Sequence, residues 1–188
     1  MKNLVYLILI ALLLGGCAYK NNPVALQPYQ SNYNGEVSKE KKTIAIISVK
    51  DLRPDKSNIG YALEDGKKEI MFFSNENFVK KYKNGLLNAL NIAEFDTTVN
   101  PNEADLRIEI YIKKIELIHT DKSFDENLKG EIDIEVVVEN GDKIVKQNFK
   151  EKAGKWILPS RDSKDLEPFL SSLFSDSINS IVSKLASF

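Results

Sequence analysis

The chain has 188 residues, 43% of them hydrophobic and 28% charged, with a formal net charge of −1. That is one domain's worth of sequence with enough apolar side chains for a core, and it argues against a disordered chain or a nucleic-acid binder that relies on net positive charge. One cysteine and one histidine exclude an internal disulfide framework and a Cys-rich zinc site, and leave little for His-based catalysis.

The N-terminus reads as an export signal. Lys2 supplies a positive start, and an unbroken apolar run extends from Leu4 to Leu14. Its length suits the ~7–15-residue apolar region of a signal peptide and falls short of the ~20 residues a bilayer span needs. The segment Leu14-Gly15-Gly16-Cys17 resembles the lipobox of bacterial lipoproteins. The resemblance implies cleavage before Cys17 and a diacylglyceryl thioether on its sulfur. With Ala18 next, it also implies sorting to the outer membrane, the folded part facing the periplasm. The chemistry suits those residue types, since small side chains open the backbone to a protease and a thiolate is readily alkylated. Two other readings stay open: ordinary signal cleavage after Ala18, and a retained anchor helix. On the lipoprotein reading residues 1–16 are the signal peptide and Cys17 is the membrane attachment. Two or three acyl chains anchor durably where one does not.

Residues 18–42 show no sustained period and are broken by Pro23, Pro28 and Gly35. A flexible tether over 17–42, spanning roughly 25–30 Å, and a single domain over 43–188 are expected. The alternative is that part of the segment packs on the domain through Val24, Leu26, Tyr29 or Tyr33. Lys39, Lys41 and Lys42 are diluted by Glu36 and Glu40, which suggests a solvated linker end.

Thr43–Val49 is short, β-branched and apolar, and reads as a buried central strand ended by Asp51-Leu52-Arg53-Pro54-Asp55. Ile59–Leu63 and Lys68–Phe73 form a hairpin about Asp65-Gly66, a pair suited to the two positive φ angles of a type I′ turn. Ser74 caps a helix beginning near Asn75, with Phe78, Tyr82, Leu86, Ala89, Leu90 and Ala93 on one face. Gly85 weakens that helix, so a close contact is expected there. The helix ends near Phe95. Leu106, Ile108, Ile110 and Ile112 alternate as a half-buried strand. The parity then shifts across Lys113-Lys114 to Ile115 and Leu117, which calls for a bulge or bend. Ile132, Ile134, Val136 and Val138 alternate again into a two-residue Asn140-Gly141 turn. That register sets Val136 against Val145, Ile132 against Phe149, Glu135 against Lys146 and Glu131 against Lys150. Its one poor match is Glu139 against Asp142. Leu166, Phe169, Leu170, Leu173, Phe174, Ile178, Ile181, Val182 and Leu185 form the stripe of a closing helix. Asp165 is its expected cap and Pro168 falls in its first turn. The pattern predicts an α+β fold: a mostly antiparallel sheet with both amphipathic helices packed on one face.

The lipobox, Asp51-Leu52-Arg53, the first hairpin, the 104–110 strand, the Asn140-Gly141 hairpin and the closing helix together resemble the YajG-type outer-membrane lipoproteins. Members often close the first helix with a Gly-aromatic pair, where Asn91-Ile92-Ala93-Glu94-Phe95 stands here. The layout is also similar to that of LptE-type lipoproteins, which plug the lipopolysaccharide translocon. The resemblance implies no enzyme activity and no cofactor. It implies a membrane-anchored scaffold or adaptor with an envelope protein partner. The alternatives are an accessory subunit of an envelope assembly or transport complex, and a module that binds a lipid or peptidoglycan fragment.

Few residues invite a site. Asp51 and Arg53 could bind a ligand at a strand end or form a turn salt bridge. Trp156 could be an exposed anchor for a partner or lipid, or pack at the sheet edge. His119 has Asp121 nearby but no second His or Cys in the mature domain to make a metal or catalytic cluster. Ser160–Asp165 offers Ser and Asp without a histidine base.

Overall fold

A computed structural model describes residues 20–38, 40–122, 125–158 and 162–188. The elements are β1 (Lys20–Pro23), β2 (Ile44–Asp51), β3 (Asn58–Glu64), β4 (Lys67–Phe73), α1 (Phe78–Ile92), β5 (Leu106–His119), β6 (Leu128–Asn140), β7 (Lys143–Lys155) and α2 (Ser163–Ala186). The class is α+β, as the pattern predicts.

The strands form one sheet in the order β1-β4-β3-β5-β6-β7, with β2 joined to β5. The long β5 is its spine. β6 pairs along one edge of β5, while β2 pairs with Leu106–Ile112 and β3 with Leu117–His119 along the other. Three of these ladders, β1–β4, β2–β5 and β3–β5, are parallel. The sheet is therefore mixed, with the parallel ladders shorter than the long antiparallel ones of β5, β6 and β7. Apolar alternation reports which face of a strand is buried and is silent on the direction of its neighbour. β2 is also not a central strand. β5 is its one strand partner in the sheet, and Ile47 is pushed out at a bulge between Ile46 and Ser48.

The directions of the ladders place the starts of β1, β4 and β6 and the ends of β3, β5 and β7 at one end of the sheet. Lys20, the Asp65-Gly66 turn, residues 120–122 and 125–127, and residues 156–158 share that end.

The first hairpin follows its turn chemistry, with Asp65 at φ 48° and Gly66 at φ 74°. The parity shift in β5 is a bulge at Lys113: Ile112 faces Ile134 and Lys114 faces Asp133. It keeps Ile108, Ile110 and Ile112, then Ile115 and Leu117, on one buried face. The second hairpin differs from expectation. Its loop is Gly141-Asp142, closed by Asn140 opposite Lys143. Gly141 alone takes positive φ, at 58°, which suits the first central position of a type II′ turn. The pairing moves by two residues, so the faces are kept while the partners change: Val138 meets Val145, Ile134 meets Phe149, Glu131 meets Lys152. The move also takes Glu139 away from Asp142, sets it opposite Ile144 and leaves it paired with Arg107 at 3.1 Å.

Two caps differ as well. Asn77, not Ser74, caps α1, its Oδ1 accepting the Lys80 N–H at 2.9 Å. The N-cap of α2 is Asp162 rather than Asp165, so Pro168 lies in the second turn, where it is exposed. The end of α1 is a Schellman motif: the Phe95 N–H donates to Leu90 O and the Glu94 N–H to Asn91 O. Glu94 takes the left-handed position at φ 62°.

α1 packs on β2, α2 packs on β6 and β7, and the helices pack on each other, so both cover one face. The core between them is filled by Phe72, Tyr82, Leu86, Ile110, Ile134 and Phe174. Tyr82 and Phe174 meet edge to face at 4.8 Å. The Tyr82 hydroxyl lies 2.8 Å from Ser177 Oγ, which itself donates to Phe174 O. Burial pushes the Tyr82 phenol well above its ordinary pKa.

Candidate functional site

The lipobox residues Leu14, Gly15, Gly16 and Cys17 lie outside the described residues. From Lys20 onward the chain is not a tether. β1 adds to the sheet beside β4, from Lys20 opposite Ile70 to Pro23 opposite Phe73. Residues 24–38 then run over the helical layer. Val24, Leu26, Tyr29 and Tyr33 are all buried, and all belong to the single core. The expected tether over 17–42 is thus corrected for residues 20–38, which pack on the domain through the four side chains of the alternative reading.

The seat of this strap is built from both helices. From α2, Glu167 Oε1 accepts the Ala25 N–H at 3.0 Å and Ser171 Oγ the Gln27 N–H at 3.2 Å. Further along, the Tyr29 hydroxyl donates to Asn179 Oδ1 at 2.7 Å, and the Tyr33 hydroxyl lies 3.3 Å from Ser183 Oγ. From α1, Lys81 donates to Leu26 O, and Asn88 Nδ2 to Ser31 Oγ at 2.8 Å. Partners on α2 therefore advance with the strap, and the two run in the same direction. The close contact expected at Gly85 is here. A Cβ on it would lie 2.5 Å from Ile178 Cδ1 and 3.0 Å from Tyr29 Cβ. A surface cleft of about 390 Å³ remains beside the strap, lined by Pro28, Tyr29, Lys80, Lys81 and Asn84 among others.

Asp51 and Arg53 form a closed structural clamp. Arg53 Nε and Nη2 reach the Asp51 carboxylate at 3.0 and 2.7 Å, Nη2 also donates to Lys56 O at 2.7 Å, and Nη1 to Asn58 O at 3.4 Å. The guanidinium lies over the Phe78 ring at 4.7 Å. Both side chains are buried. The pair turns the chain from β2 into β3, the turn salt bridge of the two readings. His119 is buried on the core face and Asp121 is exposed.

Trp156 is at the surface, 47% exposed, and Leu158 is 54% exposed. Ile157 between them is buried. Its backbone is held at both ends by one side chain: Asn127 Nδ2 donates to Ile157 O and the Ile157 N–H donates to Asn127 Oδ1, each at 2.8 Å. Asn127 is itself buried. This two-point grip fixes which side chain of the three turns inward.

The face of β5, β6 and β7 away from the helices carries an ion-pair lattice. Glu131 is its hub, with Lys114 at 3.3 Å, Lys150 at 3.5 Å and Lys152 at 3.6 Å. Lys150 also reaches Asp133 at 3.3 Å, and Lys113 pairs with Glu135 at 3.0 Å. Partial burial pushes the Glu131 carboxyl up, but the Lys114 hydrogen bond and the surrounding lysines outweigh it and hold the pKa below its ordinary value. These pairs are solvated, so each adds little stability, and the lattice chiefly fixes a charge pattern. A cleft of about 410 Å³ opens on this face, between Glu116, Ile118, Glu126, Lys129 and Lys152. The sequence pattern pairs Glu131 with Lys150; the wider lattice depends on the two-residue shift and on the bulge at Lys113.

The family model described as "Uncharacterized lipoprotein" matches residues 33–184. No curated protein matches the sequence. Protein XCC0632 from Xanthomonas campestris, of the family DUF330, is similar in structure, with a TM-score of 0.52 at 8% identity over 89% of this chain and 92% of that one. The crystal structure of an uncharacterized protein is similar to the same degree, with a TM-score of 0.52 at 9% identity over 88% and 99%. At such identities the likeness shows the fold alone. Among the described residues no helix is long and apolar enough to cross a membrane. The match over most of the length places this chain in a family of uncharacterized lipoproteins, and so associates it with the cell envelope.

Proposed function

We propose that this protein is a non-enzymatic lipoprotein, attached through acylated Cys17 to the periplasmic face of the outer membrane, that serves as a scaffold or adaptor for another envelope protein. The observation that carries the reading is the short link between the lipobox and the fold. The chain enters the sheet at Lys20, and three extended residues reach at most about 11 Å. Acyl chains on Cys17 hold the domain against the bilayer with no stalk. Membership of a lipoprotein family supports the anchor.

The open face and edge support the adaptor role. The helices cover one sheet face only, and the other displays a fixed lattice of opposite charges. Among the described residues β7 pairs with β6 alone, leaving one edge of a 13-residue strand for an added strand. That edge also favours the second reading, an accessory subunit of an envelope assembly in the manner of the LptE-type proteins. The YajG-type resemblance belongs to the same proposal.

Photo-crosslinking residues placed along β7 in living cells test it. One envelope protein should be captured from several neighbouring positions, and the capture should fall sharply in Cys17→Ala. Acylated protein that yields no adduct from any β7 position contradicts the adaptor role.

A further inference from the structure

Two independent features lie at one end of the sheet, on its opposite edges. The first is where the chain enters. The strand directions put the start of β1 at the same end of the sheet as the end of β7. The helical layer gives the same answer independently. Ala25 and Gln27 lie beside Glu167 and Ser171, early in α2, and the strap runs with that helix. Lys20 therefore lies toward the N-terminal end of α2, across the sheet from the end of β7.

The second feature is what is displayed there. Trp156 and Leu158 come directly after β7 and are 47% and 54% exposed. They are not loose. Buried Asn127 grips the backbone of Ile157 at both its N–H and its C=O. With Ile157 locked inward, its two neighbours are held outward. A tryptophan held at a surface, with a large apolar ring and a polar edge, suits the interface between hydrocarbon and headgroup.

We propose that this end of the domain is a membrane-contact surface in which Trp156 and Leu158 enter the headgroup region of the phospholipid leaflet that holds the acyl chains. The inference rests on the lipid-anchor reading and deepens it. The anchor brings the end of the sheet to the bilayer, and the Trp156–Leu158 pair fixes how the domain stands on it. The charges at this end are mixed. Lys67, Lys68, Lys129 and Lys155 are offset by Glu64, Asp65, Asp121 and Glu126. The contact is therefore apolar rather than electrostatic, and it is not screened by salt.

The chain contains one tryptophan, so its fluorescence reports this site alone. Acylated full-length mature protein is reconstituted into vesicles of phosphatidylethanolamine and phosphatidylglycerol, with and without brominated acyl chains. Flotation and the intact mass record anchoring separately. The expected result is an emission shift to shorter wavelength in vesicles, with loss of intensity on brominated lipid that persists in high salt and weakens in Leu158→Glu. Protein that floats and carries its acyl chains, yet shows an unshifted, unquenched Trp156, overturns the contact and leaves the anchor standing. Quenching abolished by salt also overturns it. Protein that neither floats nor carries acyl mass overturns the anchor, and the contact with it.

Discussion

Glu94 occupies the one position in the helical layer where its residue type and its backbone disagree. It is the left-handed residue of the α1 Schellman motif, at φ 62°, where glycine is the ordinary occupant because it has no Cβ to clash. Phe95 beyond it is buried, and this contact holds the motif closed without glycine. Glu94→Gly should raise the stability by roughly 0.5–1 kcal/mol, read as a higher urea midpoint at constant slope. A lower midpoint would mean that Glu94 makes a compensating interaction. Arg53 is the opposite case, a residue whose side-chain hydrogen bonds all go to its own loop. Its guanidinium neutralises buried Asp51, ties down two loop carbonyls and stacks on Phe78. Arg53→Ala strands a buried carboxylate and should cost about 3–5 kcal/mol in thermal or urea unfolding. A functional defect with unchanged stability would instead restore Asp51 and Arg53 as a ligand site.

At the scale of elements, the strap and its seat on Gly85 decide the shape of the domain. Tyr29 and Ile178 approach Gly85 so closely that a side chain there would force a neighbour to shift. Gly85→Val should lift the strap and cost roughly 1–3 kcal/mol. Limited proteolysis should then cut within residues 24–38, where the wild-type strap is protected. Equal protection in both proteins would show that the strap does not depend on this contact.

The same elements show what a sequence can carry. The first hairpin is legible because Asp65-Gly66 meets a specific backbone need. The Lys113 bulge is legible because a parity shift in a buried strand has one cheap solution. The Gly85 contact is legible because glycine inside an apolar stripe wants a reason. The parallel pairings are not legible, since Ile44–Val49 and Ile59–Leu63 carry no mark of the direction of β5. The strap is visible only as one alternative. Val24, Leu26, Tyr29 and Tyr33 are spaced to fit a groove between two helices, which imposes neither the period of a helix nor that of a strand. The slip of the second hairpin turns on which residue takes positive φ, and Asn140-Gly141 and Gly141-Asp142 are both good turn pairs. Asp51 and Arg53 stand two apart in the sequence, and only the carbonyls of Lys56 and Asn58 curling back show that they are a clamp.

Across the whole molecule, the strap changes what a lipid anchor means. A tethered domain would sample a hemisphere of roughly 25–30 Å radius. With β1 in the sheet from Lys20, an acylated Cys17 leaves almost no slack. One end of the sheet is then turned to the bilayer, while the charged lattice and the β7 edge remain open to the side. This arrangement depends on the chemistry of Cys17, and the N-terminal peptide of the protein recovered from membranes tests it most directly. Mass spectrometry should find a chain that begins at Cys17 and carries diacylglycerol on sulfur, with an additional acyl chain on the new amine. An unmodified peptide beginning at Tyr19, or one still beginning at Met1, would contradict it.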